Sequence, residues 1–501
     1  MVFPSYRVLS SQTTTIAECQ WLFNCYLLFG GVESPTQATV DSKKLDKTTN
    51  KCGAPRYINH FFGGAAMQYN PTGPDHIKES LISSIHYLIP RKKEFFINPD
   101  TSFSRTRKIS LVQTMLFVMC AASENVDTEM TDFFGEEALP TASAMIQRRN
   151  QIKPEAFREI FLHFTQKMAC LKTFNGYQLI GVDGSRINLP YNPSDPFSHI
   201  SCIKGRKGIN QVHLNSFYDL LNDTFLDAEL QGIRELDEKI AFCRMLGRQK
   251  DSGRKQIFIA DRGYASYNVL AHAIHNKQLF LIRVTETFAR SICKGREHWL
   301  ENVNEDQDIT VHIGRRKTKT NYQLQYYHCL PKNRRYDFIE PGSDDVEALR
   351  LRVLKFPIGE DSYEYIVTDL PKYAFSMQTI KKLYHLRWNH EVAYRHLKYA
   401  GNMVHIHSLK RDFLFQEIYA KLIMYNFSSF VAASVGDIKK ETEKYTYVLN
   451  HTQVQKNCIR FLSGRIKDAA KMICRFMVPV RPGRKFKRNL RRQSADTLTY
   501  R

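Results

Sequence analysis

The 501-residue sequence predicts an α/β protein with a strand-rich core set between helical regions. Three observations carry this. Two short apolar runs, 177–183 and 256–261, have the length of strands, and each ends in an acid, Asp183 and Asp261. Asn222-Asp223, between the segments 212–218 and 224–230, is a hairpin signal. Apolar residues recur at helical spacing before residue 172 and again after residue 376.

Residues 1–75 have mixed composition, rich in Thr, Gly and Asn, and stand as an unassigned N-terminal extension. Residues 76–172 form a helical region, with apolar periodicity over 77–89 and 110–122. Pro140-Thr141 reads as a helix start, with Arg148 and Arg149 on the exposed face, and Pro154 opens the next helix. A small bundle with one basic helix suits nucleic-acid binding, and an ordinary solvated face would look the same.

From 173 the pattern turns to strands: the run ending at Asp183, the hairpin, a helix over 237–246, the run ending at Asp261, a helix over 267–275 and a strand over 279–284. That order is that of a ribonuclease-H-like core. Its first and fourth strands lie side by side, so Asp183 and Asp261 should meet. Alternating segments at 308–313, 322–330 and 363–368 make 286–368 a β-rich insertion. The core, 173–285, resumes over 369–435. A helical C-terminal region, 436–501, contains the basic tail Arg481–Arg492, which has seven basic and no acidic residues.

A hydrophobic fraction of 43% supports buried cores, and a net charge of +22 favours a polyanionic partner. Between nucleic acid and an anionic membrane, the sequence favours the first. The apolar stretch Trp21–Val32 is too short to span a bilayer and lacks a flanking basic cluster, so a soluble intracellular protein with no membrane partner is expected. The eleven cysteines form no C-x-x-C pair, which argues against a thiolate zinc site.

The densest chemistry lies in Tyr384–Lys398. Neither Gly nor Pro occurs from 376 to 400, so one continuous helix is predicted. At about 100° per residue, Tyr384, Arg387, Glu391 and Lys398 share a stripe. Leu383, Leu386, Ala393 and Leu397 form the packing face beside it, and Trp388 is expected in the core. Taken singly these residues have bland uses: a strand-terminal Asp as a cap, Arg387–Glu391 as a surface pair. Together, three carboxylates suit two divalent cations about 4 Å apart, the arrangement that cuts phosphodiesters. Arg387 and Lys398 would neutralise neighbouring phosphates.

The spacing Tyr-x2-Arg-x3-Glu-x6-Lys resembles the signature of IS4-family bacterial transposases. Gly181-Val-Asp-Gly-Ser and Ala260-Asp-Arg-Gly-Tyr look like that family's first and second catalytic aspartates, and Ile366-Val-Thr-Asp-Leu-Pro like the strand entering its signature helix. Thr141–Phe157 looks like its helix-turn-helix region. The resemblance covers roughly residues 100 to 435. It implies a DNA transposase that binds the terminal inverted repeats of an insertion sequence, with Asp183, Asp261 and Glu391 catalytic and holding two Mg2+ ions, Mn2+ being a substitute. Tyr384, Arg387, Lys398, Arg148 and Arg149 are then DNA contacts. Trp299 lies where relatives stack an aromatic ring on a flipped base near a hairpin end. The resemblance also implies double-stranded DNA as partner, a homodimer pairing two ends, and a cytoplasmic, nucleoid-associated location. The rival reading is a catalytically inactive, transposase-derived DNA-binding regulator.

Overall fold

The computed structural model describes residues 73–480, apart from 106, 122–124, 138, 169–171, 202–207, 251, 325, 361, 407, 437–439 and 442–444. The N-terminal extension and the basic tail therefore lie outside the described residues. Two compact units form, one from 283–332 with 339–368, the other from the remaining described residues.

In the larger unit, helices come first: α1 Pro74–His86, α2 Leu111–Cys120, α3 Val126–Phe134, α4 Ala142–Arg149 and α5 Pro154–Lys167. Their starts follow local chemistry. Proline occupies the first turn of α1 and α5, where its missing N–H costs nothing. Ser110 and Gln113 make a reciprocal capping box on α2, and the Thr141 hydroxyl accepts from Ala144 N on α4.

The sheet follows: β1 Gln178–Leu189, β2 His199–Ile200, β3 Ile209–Asp219, β4 Thr224–Gly232, then α6 Glu238–Gln249, β5 Gln256–Ala260, α7 Tyr267–His275 and β6 Leu279–Val284. β3 pairs antiparallel with β1, β2 and β4, while β5 runs parallel to β1 and to β6. This is the mixed order expected of the core: with the two-residue β2 set aside, β1 and β5 are its first and fourth strands, and they are adjacent. Parallel strands covered on both faces should be apolar throughout. Leu179, Ile180 and Val182 on β1, and Ile257 to Ala260 on β5, are indeed wholly buried. Asp223 takes φ 53° in the β3–β4 turn, the left-handed conformation that an Asp side chain tolerates.

The unit closes with α8 Met377–His385, α9 Trp388–Tyr399, α10 Arg411–Val435 and α11 His451–Leu462. By length and composition α10 could cross a membrane, but 72% of its most apolar window is buried, against the helices and strand around it. Asn426 of α10 bonds both backbone groups of Phe225 on β4, at 2.8 and 2.7 Å, and the Thr165 hydroxyl of α5 at 2.7 Å. A buried amide is thereby satisfied while it fixes the helix in register.

Two expectations need correction here. The single helix over 376–400 is interrupted: Arg387, Asn389 and His390 donate to carbonyls three residues back, a tighter turn that separates α8 from α9. The C-terminal region is mixed rather than helical, since Lys440–Glu441, Thr446–Leu449 and Met477–Pro479 form a small antiparallel sheet.

The smaller unit carries β7 Glu305–Gly314, β8 Tyr327–Cys329, β9 Val346–Pro357 and β10 Tyr363–Thr368, with a helix at Glu286–Ile292. β9 pairs antiparallel with both β7 and β10. The strand expected over 322–330 shrinks to β8, because Thr318 caps a short helix at Lys319–Tyr322. β9, laden with Glu347, Arg350, Arg352 and Lys355, escaped the sequence reading. Its Arg352 is nevertheless buried, held by both carboxylate oxygens of Asp306 at 2.7 Å.

Candidate active site

β5 stops at Ala260, the register partner of Val182, so the parallel pairing ends there and the next residues on the two strands are Asp183 and Asp261. β1 does not end at its acid, as the sequence suggested. It runs on to Leu189, still paired with β3. Asp183 thus sits where one edge of a continuing strand is released, beside the end of its neighbour.

Each acid is held through one oxygen. Asp183 Oδ1 accepts from Gly184 N at 2.9 Å, and Asp261 Oδ1 accepts from Gly263 N at 2.8 Å, capping the turn Arg262–Tyr264. Glu391, in the first turn of α9, takes Arg387 Nη2 at 2.6 Å. Among the described residues none of the three second oxygens has a partner. Burial is the first cause that raises the Asp183 carboxyl to about 7; Arg387 opposes it, while Asp261 and Glu391 reinforce it.

The cations respond in turn. Burial works against the charge on Arg387, but Tyr384, Glu391 and Asp183 outweigh it and the net direction is upward. Lys398 is lowered by burial, with Asp183 pulling the other way. Asp183, Glu391, Arg387 and Lys398 therefore form one electrostatic group. Tyr384 differs from expectation: it is only 7% exposed, a buried ring rather than one lining an open path. Trp388 is half-buried rather than core.

The placement of α9 depends on residues the sequence reading missed. His390 Nε2 and the Tyr394 hydroxyl both lie 2.8 Å from Ser216 Oγ of β3, and the Tyr394 hydroxyl donates to the Asp183 carbonyl at 2.9 Å. The two rings stack at 4.8 Å. With Ala393 and Leu397 they form the buried face of α9 and set where Glu391 reaches. Their signal was visible: two ring-bearing polar residues at i, i+4 on the apolar side of the helix.

Arg148 and Arg149 do not present the exposed basic face expected of α4. Arg148 is buried, donates twice to the Ile109 carbonyl at 3.0 and 2.8 Å, and covers the Phe103 ring. Arg149 donates to Gln416 and to the Phe413 carbonyl and pairs with Glu417 at 3.2 Å. Both guanidinium groups are committed to protein contacts that dock α4, Arg149 on α10. In the smaller unit, Trp299 lies half-buried in the turn Glu297–Glu301, with the Arg296 guanidinium 4.5 Å from its ring centre.

Whether the acids suit a metal can be judged from the donors. Carboxylate oxygens carried by two neighbouring strands and α9, one of them pushed toward protonation by burial and like charge, are the donor type that a hard cation takes. They are not drawn together as they stand: among the described residues no three His, Cys, Asp or Glu side chains form a group that could hold an ion, and Glu391 is turned onto Arg387.

A family model described as a transposase DDE domain matches residues 175–427, about half of the chain. The chain belongs to this DDE transposase family. It is a DNA transposase. The matched span of the transposase runs from just before β1 into α10, enclosing all three acids. Enzymes of this kind generally use divalent metal ions. No curated protein matches the chain. Among solved structures, a piggyBac transposase synaptic complex with hairpin DNA is similar over 81% of this chain and 84% of that chain, at 9% identity and a TM-score of 0.41.

Proposed function

We propose that this transposase is a bacterial insertion-sequence enzyme of the IS4 type, which binds the terminal inverted repeats of its element and cuts and joins DNA there. The observation that carries this reading is the adjacency of Asp183 and Asp261 at the end of the β1–β5 pair, with Glu391 delivered by α9. Asp183, Asp261 and Glu391 would hold two Mg2+ ions, or Mn2+, which supply an activated water and neutralise charge developing on the phosphate.

The chain's own groups do the rest. Gly184 N and Gly263 N fix one oxygen of each aspartate, which aims the other. Tyr394 and His390 hold α9 on the sheet, so Glu391 approaches from a set direction. Arg387, once released from Glu391, is placed for bidentate contact with a phosphate, and Lys398 acts as a point charge beside Asp183. Double-stranded DNA is the partner, and two copies pair two ends as a homodimer in the bacterial cytoplasm. Trp299 offers an indole for base stacking, with Arg296 already on one face. Arg148 and Arg149 have no DNA role in this reading.

Labelled DNA carrying the element's terminal repeat, incubated with Mg2+, tests it. Wild type should nick at the repeat boundary, and Glu391→Gln should bind the same DNA without nicking. Equal nicking by both would remove Glu391 from the mechanism. Binding without cleavage by wild type would favour the inactive regulator.

A further inference from the structure

We propose that Ser216 is a positioning residue of this active site, the hub of a one-way hydrogen-bond chain that sets Glu391 against Asp183. The inference rests on the three-acid reading just given and extends it to a residue outside the three acids.

Ser216 is the register partner of Asp183 across the antiparallel β1–β3 pair. Side chains directly opposite on such a pair share one face of the sheet. The Ser216 hydroxyl therefore stands on the face that carries the Asp183 side chain, where His390 and Tyr394 of α9 meet it. All three residues are buried, Ser216 and His390 completely.

The direction of the chain follows from counting protons. The Tyr394 hydroxyl has one, and two backbone carbonyls compete for it, Asp183 at 2.9 Å and Leu214 at 3.2 Å. A carbonyl can only accept. The 2.8 Å contact between Tyr394 and Ser216 must then use the Ser216 proton. The 2.8 Å contact between Ser216 and His390 must in turn use a proton on Nε2. His390 is thus held as the tautomer protonated at Nε2. Its Nδ1 is buried without a partner among the described residues, so a proton there would have no acceptor. The chain runs from the residue before Glu391, through Ser216 and Tyr394, to the backbone of Asp183.

Packing supports the same placement. The His390 ring stacks on Tyr394 at 4.8 Å and on Tyr218 of β3 at 5.1 Å. A Cβ on Gly181 would lie 3.1 Å from His390 Nδ1 and 2.9 Å from Leu220 Cδ2. The bare glycine two residues before Asp183 is what lets the ring come this close to β1. Stacking sets the distance of α9 from the sheet. The directional bonds to Ser216 set its rotation, and so where the Glu391 carboxylate points.

Full-length, DNA-free protein labelled with 15N-histidine tests the chain without activity. The His390 signal, identified by its loss in His390→Gln, should show a protonated Nε2 and a bare Nδ1. Cleavage of labelled terminal-repeat DNA in Mg2+ tests the consequence. Ser216→Ala should lower kcat about tenfold to a hundredfold with KM for the DNA unchanged, the scale of losing an outer partner of a catalytic ligand. Tyr394→Phe should do the same, and the double variant should lose little more than either alone, because both break one chain. A proton on Nδ1 in wild type would overturn the proposal, as would losses that multiply in the double variant. A lowered melting temperature with kcat per folded molecule unchanged would also overturn it, leaving Ser216 a structural residue. Should Ser216→Ala fail to fold, Tyr394→Phe and the wild-type spectrum decide. A wild type that binds the repeat without cutting it would bring down the catalytic reading, and the spectrum would then decide the chain alone.

Discussion

The end of the β1–β5 pair and the helix α4 both drew notice in the sequence for their charged residues, and the fold treats them oppositely. At the strand ends Asp183 is buried beside Asp261, with Glu391 above them on α9, and among the described residues each acid keeps an oxygen without a partner. On α4, Arg148 is buried and Arg149 half-buried, and their N–H groups go to backbone carbonyls, Gln416 and Glu417. Charge in a sequence therefore does not announce function. What separates the two regions is whether the partners that neutralise the charge already belong to the protein.

The largest expected effect sharpens the contrast. Asp183→Asn should lower cleavage by roughly a thousandfold or more, the scale of losing a principal catalytic group, with terminal-repeat binding retained in a gel-shift assay. Loss of binding at the same time would make Asp183 a structural residue, like the arginines.

Arg149→Met should do the reverse. Removing one partner of this part-buried pair leaves Glu417 to Ser408 and the Lys421 charge, at a cost of about 1–3 kcal/mol read by denaturant unfolding. The salt dependence of DNA binding by the folded fraction should not change. A reduced salt slope would return Arg149 to the DNA surface and break the comparison.

A pH series separates the two kinds of charge further. The folded Asp183 carboxyl is raised to about 7, above its unfolded value near 3.8, with burial as the main cause. A raised acid contributes stability that is fully present below the unfolded value and is lost as pH rises through the folded one. Metal-free wild type should therefore lose stability between about pH 4 and pH 7, relative to Asp183→Asn, by about 4 kcal/mol in all. A constant difference across that range would show that Asp183 ionises freely when the protein folds.

The smallest effect concerns Lys398, a cation that the protein only partly neutralises. Lys398→Ala should weaken DNA binding evenly across sequences and reduce the log–log salt slope by about one. An unchanged slope would place Lys398 with Arg148 and Arg149.

Much of this molecule was legible along the chain, and the reasons are local. β5, α7 and β6 fall where period and caps put them: an apolar run too short for a helix, Ser266 capping α7, a second apolar run. The adjacency of Asp183 and Asp261 followed from strand order, because a ribonuclease-H-like order leaves the first and fourth strands as neighbours. The spacing that carries Arg387, Glu391 and Lys398 is also a property of sequence alone. It holds even though the helix tightens at 386–388, since the break falls before Glu391.

Tertiary structure decided the rest, because burial is a property of what comes back from far along the chain. Arg149 is interior because α10, more than 260 residues later, brings Gln416 and Glu417 to it. His390 and Tyr394 become the clamp on α9 only because β3 places Ser216 beneath them. His213 and Glu238 close over Gly184, where a Cβ would meet both, an approach that no spacing in the sequence measures. Residue types and periods determined the elements and the acids; which charges remained unneutralised was settled by distances between elements, which only the folded chain possesses.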